Sequence, residues 1–316
     1  VLVILGIAAF LFFVIFFLVK KRYKEIVSLL LAVAIGGVAF ADVYCVSASF
    51  AYNREPLPQY VCRDYGGSDL TYDEALQIAD WVVAELNDAY DQTEHDADGN
   101  IVFPYSFSEL NDLIAKEYER LDDDYFSPYT PRAKKIVNQT VMNELHISGV
   151  FFAPYGEPNV NVDYMNMTLP STIAHELAHS KGVMRESDAN TVAAYLLLTS
   201  DNVYLRYSAL TNCFLQAVRL VKMYPNSLAD FNLRYGSISD GVFKEIVNYS
   251  KYYKQFTALD NLGTFFNNIY LKLNGQGGTN SYVKPSQTED TGQKDDDGEP
   301  ILTITGFSNL QNVLIG

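Results

Sequence analysis

The stretch STIAHELAHSKGVMRESDAN, residues 171–190, decides how this chain is interpreted, because it contains the pattern His-Glu-x-x-His. If the segment is helical, His175 and His179 lie four residues apart on one face, close enough to bind one zinc ion. Glu176 then lies beside the open coordination position of the metal, where a carboxylate can take the proton of a water. The motif predicts a zinc site with Glu176 as its general base.

Residues on both sides of the motif indicate two helices. Pro170 suits a first helical turn, and Gly182 stands where a helix can close with a left-handed residue. We therefore expect one helix from about Pro170 to Lys181, held rigidly by its apolar face. A second helix-like run, Glu186 to Leu198, follows and is expected to fold back over the first.

A catalytic zinc needs a third protein ligand besides the two histidines. Glu186, seven residues after His179, is the main candidate, and Asp188 is the alternative. The motif also resembles the metzincin pattern His-Glu-x-x-His-x-x-Gly, but Arg185 stands where that class needs a metal ligand. We therefore do not expect a metzincin.

The spacing of Glu186 resembles that of the gluzincin class of zinc peptidases, in which a second helix carries Glu-x-x-x-Asp. In that class the Glu binds the metal and the Asp supports a ligand histidine; the matching residues here are Glu186 and Asn190. Although Asn replaces Asp, its amide carbonyl can still accept a hydrogen bond from an imidazole N–H and fix the tautomer.

A wider set of residues resembles one family. The run His-Glu-Leu-Ala-His, followed by Gly, Arg-Glu and Ala-Asn, is similar to the membrane-anchored bacterial family catalogued as domain of unknown function 3810, whose members look like gluzincin-type zinc peptidases. The similarity covers Val1 to Tyr282 and includes Gly149-Val150-Phe151-Phe152, Gly156-Glu157-Pro158-Asn159-Val160-Asn161, Tyr204, Arg206, Tyr207 and Ser208. The resemblance implies a zincin-like fold and zinc, and it implies no substrate.

The N-terminal part of the chain predicts a membrane anchor. Residues 1–19 and 26–46 are apolar runs, and a basic loop with three lysines and Arg22 separates them. Two spans joined by a basic loop are typical of a hairpin whose loop lies in the cytoplasm. Everything after Tyr52 is then expected outside the cell membrane. A cleaved signal peptide is the alternative for the first run, but the run lacks a basic n-region.

Composition excludes one class of partner. The formal net charge is −15, and nucleic-acid binding needs clustered Lys and Arg to neutralise phosphates. Three cysteines do not form a disulfide framework. Cys62 and Cys213 either pair or remain free, and Cys45 falls in the second apolar run. Because the chain begins with Val1, we expect a further segment upstream, and the resemblance implies another span there.

The remaining sequence predicts a mainly α domain over residues 53–274. A polar connector is expected to run along the surface over residues 53–70, and capping boxes at Thr71 and Ser106 open two helices. The further helices are expected at Pro131–His146, Asp201–Tyr224, Ile238–Phe256 and Asn261–Leu273. Residues 275–316 form an acidic, low-complexity tail that we expect to be disordered.

The best strand candidate lies just before the motif, at Gly149–Tyr164. Zinc peptidases commonly hold an extended substrate against an edge strand beside the metal-binding helix, although a surface hairpin without substrate contact fits equally well. Tyr207 is a candidate donor to the oxyanion, and the high tyrosine content also allows a packing role.

Taken together, these features predict a mainly α protein with two N-terminal transmembrane helices (residues 1–52) and an extracytoplasmic, zincin-like domain with a small β-hairpin. We expect a multi-pass cell-membrane zinc peptidase acting on a peptide or protein substrate, with His175, His179 and Glu186 as metal ligands. Glu176 acts as base and Tyr207 is the further catalytic candidate. The rival hypotheses are a non-catalytic envelope protein with structural zinc and an intramembrane metalloprotease.

Overall fold

The structure is a computed structural model of the 316-residue chain. It describes residues 2–62, 70–121, 123–164, 166–222, 224–259, 287–294 and 300–305, together with residues 264, 272 and 314. The chain divides into two compact units, Val1–Phe50 and Ala51–Gly316.

The first unit consists of two apolar helices, α1 (Leu2–Val19) and α2 (Tyr23–Ser47). One helix in the described residues is long and apolar enough to cross a membrane: it runs over Tyr23–Asn53 and has a hydropathy of 2.3. The stretch Ala8–Val19 of α1 is apolar but shorter. The described residues therefore contain one candidate span, whereas the sequence predicted two. Core helices and signal sequences can have the same length and hydropathy as this helix.

The second unit is mainly helical, as the sequence predicts. Its helices are α3 (Tyr72–Asp91), α4 (Phe107–Tyr118), α5 (Gln139–Glu144), α6 (Leu169–Ser180), α7 (Glu186–Leu198), α8 (Val203–Lys222), α9 (Leu228–Tyr235) and α10 (Asp240–Lys254). Both capping boxes are confirmed, because Thr71 and Ser106 each exchange hydrogen bonds with the glutamate three residues later. The sequence did not predict α9.

A three-stranded sheet lies against α6. Its strands are β1 (Lys134–Lys135), β2 (Gly149–Phe152) and β3 (Glu157–Val160), in the order β1-β3-β2. Strand β2 is antiparallel to β3, and β1 is parallel to it. The predicted strand region therefore forms a hairpin, with β2 at one edge of the sheet.

The predicted helix at Pro131–His146 is wrong over its first half, which contains β1. The segment includes the β-branched pair Ile136-Val137, which favours extended backbone, and the N–H of Ile136 donates to the carbonyl of Val160 in β3. The side chain of Asn138 then caps the short helix α5.

The connector after the first unit is also different from the prediction. Leu57 and Val61 do not run along the surface: they are buried in the core that surrounds α6 and α7. This core also contains Ile173 and Leu177 of α6 and Val192 of α7. The connector is therefore part of the domain that carries the motif. Residues 63–69 lie outside the described residues.

Three points concern the tail, the last predicted helix and the cysteines. Within the expected disordered tail, β4 (Gln287–Lys294) pairs antiparallel with β5 (Pro300–Thr305), whose β-branched residues favour a strand. The predicted helix at 261–273 falls outside the described residues except for residues 264 and 272. No disulfide joins Cys62 to Cys213, so the alternative in which they pair is not found. Burial raises the pKa of Cys213 to about 12.

Candidate metal centre

The two histidines of the motif and Glu186 converge on one point. Oε2 of Glu186 lies 3.1 Å from Nε2 of His175 and 3.8 Å from Nε2 of His179. One potential ligand atom from each of the three residues lies within 4.8 Å of the others. In a tetrahedral zinc site with bonds of about 2.0–2.2 Å, neighbouring ligand atoms are about 3.3–3.6 Å apart. The three donors are therefore already close to the spacing that a metal ion requires.

Two helices and the turn between them produce this convergence. Helix α6 ends at Ser180, and Gly182 adopts a left-handed φ of +87°, which reverses the chain. Glu186 is the first residue of α7, so its carboxylate returns to the face of α6 that carries both histidines. The predicted bounds of both helices are confirmed to within one residue.

Each histidine is oriented by a second hydrogen bond. Nδ1 of His175 lies 2.9 Å from Oδ1 of Asn190, and Nδ1 of His179 lies 2.8 Å from the carbonyl oxygen of Val183. Because both partners are oxygen acceptors, each ring donates its Nδ1–H and presents Nε2 to the common point. The predicted role of Asn190 is confirmed in its geometry.

The alternative third ligand has another partner. Oδ2 of Asp188 lies 2.7 Å from Nε of Arg185, and the Asp188 residue is 4 % exposed. Its carboxylate is thus neutralised by the guanidinium and does not belong to the group formed by His175, His179 and Glu186. Among the described residues, Glu186 is the acidic member of the candidate site.

Glu176 lies beside the three donors with one oxygen unused. Its residue is 5 % exposed, and Oε2 is buried without a hydrogen-bond partner in the described structure. A buried carboxylate oxygen without a partner is costly. Two imidazoles, a carboxylate and this unpaired oxygen are the set that a zinc ion and its water would satisfy, so the residues present fit the metal.

The charges of the site are strongly coupled. Burial raises the pKa of Glu176 to about 8. Burial opposes the charged form of His175, but its hydrogen bond to Glu186 and the nearby carboxylates outweigh this effect and raise its pKa to about 9. Burial lowers the pKa of His179 to about 4. Burial opposes ionisation of Glu186 as well, yet the bond to His175 and the neighbouring imidazoles keep its pKa below the ordinary value.

Strand β2 packs directly against the motif. A β-carbon added to Gly149 would lie 2.3 Å from Oε1 of Glu176, so only glycine fits there without displacing the carboxylate. Two residues further along, the ring of Phe151 lies 5.7 Å from the ring of His179. These contacts were not predicted from the sequence. The available signal was Gly149, because a glycine at the start of a run of β-branched and aromatic residues indicates that another group approaches the backbone closely.

Tyr207 lies in a different environment from the metal ligands. It is fully buried, and its hydroxyl donates to Oε2 of Glu245 at 2.5 Å. Its ring neighbours are Tyr90 and His95. Among the described residues, the structure therefore brings together four of the five predicted site residues and places Tyr207 in the core with Glu245.

Comparison with known proteins agrees with the resemblance noted in the sequence. Neither the curated proteins nor the solved structures gave a match to this chain. A family model, described as Protein of unknown function (DUF3810), matches residues 1–285, which is most of the chain. The match includes the candidate span, the sheet and both helices that carry His175, His179 and Glu186. The chain therefore belongs to the DUF3810 family.

Proposed function

We propose that this chain is a zinc-dependent peptidase. The observation that carries the proposal is the convergence of His175, His179 and Glu186 within 4.8 Å, with the unpaired Oε2 of Glu176 beside them. A purely structural zinc site normally has four protein ligands. In the part of the chain that the structure describes, the donor group has three members, which favours a catalytic site over a structural one.

When bound, zinc would supply a Lewis acid that polarises a peptide carbonyl and lowers the pKa of a water to about 7. His175, His179 and Glu186 would hold it, and Asn190 and the Val183 carbonyl would keep both rings oriented. Glu176 accepts a proton from the attacking water at Oε2 and delivers it to the departing amine. Without the metal, burial raises the pKa of Glu176 to about 8; the positive charge of a bound zinc ion would favour the ionised carboxylate that accepts this proton.

Strand β2 offers a place for an extended substrate. Phe151 is paired with Pro158 of β3, and proline has no N–H to donate. The N–H of Asn161 donates to the carbonyl of Ser148 at 2.8 Å, so these two residues form a hydrogen-bonded pair. Bonded and non-bonded pairs alternate along an antiparallel ladder, which makes the pairs of Gly149 and Phe151 with β3 non-bonded. Gly149 and Phe151 therefore direct their backbone groups away from β3, towards the sheet edge beside α6, where an added strand can bond.

This arrangement favours a linear peptide or an unfolded protein segment as substrate. We propose that the segment aligns along Gly149 and Phe151, so that its scissile carbonyl lies between the metal ligands and Glu176. Side chains at alternate positions would then select the sequence.

Localisation forms part of the proposal. We place the chain in the cell membrane as a multi-pass protein, anchored by the hairpin of α1 and α2, with the second unit on the extracytoplasmic side. The apolar helix Tyr23–Asn53 and the basic loop before it support this topology. The motif lies more than a hundred residues beyond this helix, inside the second unit, which disfavours an intramembrane protease. The net charge of −15 disfavours a nucleic-acid partner.

The proposed activity can be tested with the full chain in detergent. The protein is loaded with one equivalent of zinc and incubated with a library of peptides derived from a digested proteome, and new termini are identified by mass spectrometry. We expect cleavage within peptides that stops when a chelator removes zinc and returns when zinc is restored. A zinc-loaded chain that leaves the library and unfolded protein substrates intact would contradict the proposal.

A further inference from the structure

The residues that follow the apolar helix bind the turn between the two ligand helices. This turn, Lys181–Arg185, joins His179 on α6 to Glu186 on α7. Arg54 is the first residue after the helix Tyr23–Asn53, and Nη1 of its guanidinium donates to the carbonyl of Gly182 at 3.1 Å. This part of the second unit is therefore attached to the turn that joins the two helices with the candidate ligands.

Arg54 is held by several contacts. Nη2 donates to the carbonyl of Tyr125, and the guanidinium lies over the Tyr125 ring, 4.2 Å from its centre. The hydroxyl of Tyr125 donates in turn to the carbonyl of Glu55 at 3.1 Å. A planar guanidinium can bridge two carbonyls and stack on a ring at the same time, which an ammonium group cannot do.

The turn binds the connector in return. Nη2 of Arg185 donates to the carbonyls of Arg54 and Glu55, at 3.2 Å and 3.1 Å. Nε of the same guanidinium pairs with Asp188, one turn into α7. The side chain of Arg54 thus fixes the backbone of the turn, and the side chain of Arg185 fixes the backbone of the connector.

Both ends of this arrangement adjoin metal ligands. Gly182, whose carbonyl accepts from Arg54, precedes Val183, whose carbonyl accepts from Nδ1 of His179. Arg185 precedes Glu186 directly. Gly182 also needs to be glycine for two reasons, since its φ is +87° and an added β-carbon would lie 2.5 Å from Nη1 of Arg54. The position of the turn therefore affects the orientation of one histidine and the placement of the third ligand.

We infer that Arg54 is a positioning residue of the metal centre: through the carbonyl of Gly182 and the backbone contacts of Arg185, it sets the turn that places His179 and Glu186. This inference rests on the proposed zinc site. It makes Arg54 and Glu55 a structural component of the centre within the second unit.

The test compares zinc affinity in three variants of the full chain in detergent. Zinc dissociation constants are measured by competition with a chromophoric chelator, at a temperature well below the unfolding midpoint of each variant. For Arg54→Lys and Arg54→Ala we expect affinity to fall about 10–100-fold, the usual effect of losing a residue that supports metal ligands. The matched control is Arg132→Lys, because Arg132 is an exposed arginine that pairs with Asp112, and it should bind zinc like the parent.

Two further readouts separate positioning from general stability. Adding ethylguanidinium to Arg54→Ala should restore part of the zinc affinity, whereas ethylammonium should not. In the cobalt-substituted protein, Arg54→Lys should change the visible ligand-field spectrum, and Arg132→Lys should leave it unchanged. If the lysine and alanine variants bind zinc with parental affinity and give the parental cobalt spectrum, the inference is wrong while the proposed site stands. A parent that binds no zinc would overturn both.

Discussion

Nδ1 of His175 and Oδ1 of Asn190 lie 2.9 Å apart, and this contact links the two helices that carry the candidate metal ligands. In the gluzincin pattern an aspartate occupies the position of Asn190. The amide oxygen keeps the hydrogen bond and the tautomer but adds no negative charge to the site. The buried group therefore has two carboxylates near its histidines, Glu176 and Glu186, and a third is avoided.

Replacing Asn190 tests the value of this contact. In Asn190→Leu, His175 loses the acceptor that fixes its ring, and we expect zinc affinity to fall about 10–100-fold. Asn190→Asp keeps an acceptor and should bind zinc at least as tightly as the parent. Chelator competition measures both constants. Parental affinity in the leucine variant would show that Asn190 does not orient the ligand.

Two acidic residues of α7 are distinguished by their partners. Glu186 lies between the histidines, whereas Asp188 pairs with Arg185. Glu186→Ala removes a ligand, so we expect a loss of zinc affinity greater than the roughly 100-fold that supporting residues can cause. Asp188→Asn should retain all three metal ligands and lose less zinc affinity than Glu186→Ala. The zinc content of both variants after dialysis at a fixed free zinc concentration provides the comparison, and the reverse order would identify Asp188 as the ligand.

The close approach of Gly149 to Glu176 predicts that a substitution at Gly149 reduces peptide cleavage without reducing zinc affinity. In Gly149→Ala the new methyl group would overlap the carboxylate of Glu176, which must then move from its position. We expect zinc affinity close to that of the parent and peptide cleavage reduced at least tenfold, since small displacements of a catalytic group are costly. Val150→Ala is the matched control, because Val150 is 37 % exposed. Equal cleavage by the two variants would be inconsistent with this role of Gly149.

Zinc binding should depend on pH in a defined direction. His175, with a pKa raised to about 9, holds a proton at neutral pH that zinc must displace. Affinity should therefore rise with pH up to about 9, by about tenfold per unit for one proton released. Calorimetry at pH 7 in two buffers of different ionisation enthalpy gives the number of protons that are released when zinc binds. If no proton is released at pH 7, His175 is neutral before the metal binds, which would contradict the prediction.

Local patterns were sufficient to predict the centre of the molecule. Proline before the motif, Gly182 after it and the spacing of Glu186 determine two helices and a turn, and these bring the ligands together through contacts close in sequence. The supporting role of Asn190 followed from the resemblance to the gluzincin pattern Glu-x-x-x-Asp. Such features depend on short-range geometry, which a single sequence expresses directly.

The parts that were not predicted depend on distant contacts. Arg54 interacts with a turn 128 residues away, and the polar connector that contains it also buries Leu57 and Val61. Pairing with β3 decides that Lys134–Lys135 is a strand rather than part of a helix. The carbonyl of Val183 orients His179 with a backbone atom, so its side chain gives no signal. The site of Tyr207 depends on Glu245, 38 residues further along the chain.

The most direct test is the rate of peptide hydrolysis by Glu176→Gln, measured on zinc-loaded protein beside the parent. The substitution keeps the size of the side chain and leaves His175, His179 and Glu186 in place, but an amide cannot accept the proton of the attacking water. We predict full zinc occupancy and a rate reduced about 10²–10⁴-fold, the usual contribution of a general base. A variant that holds zinc and cleaves as fast as the parent would contradict the account.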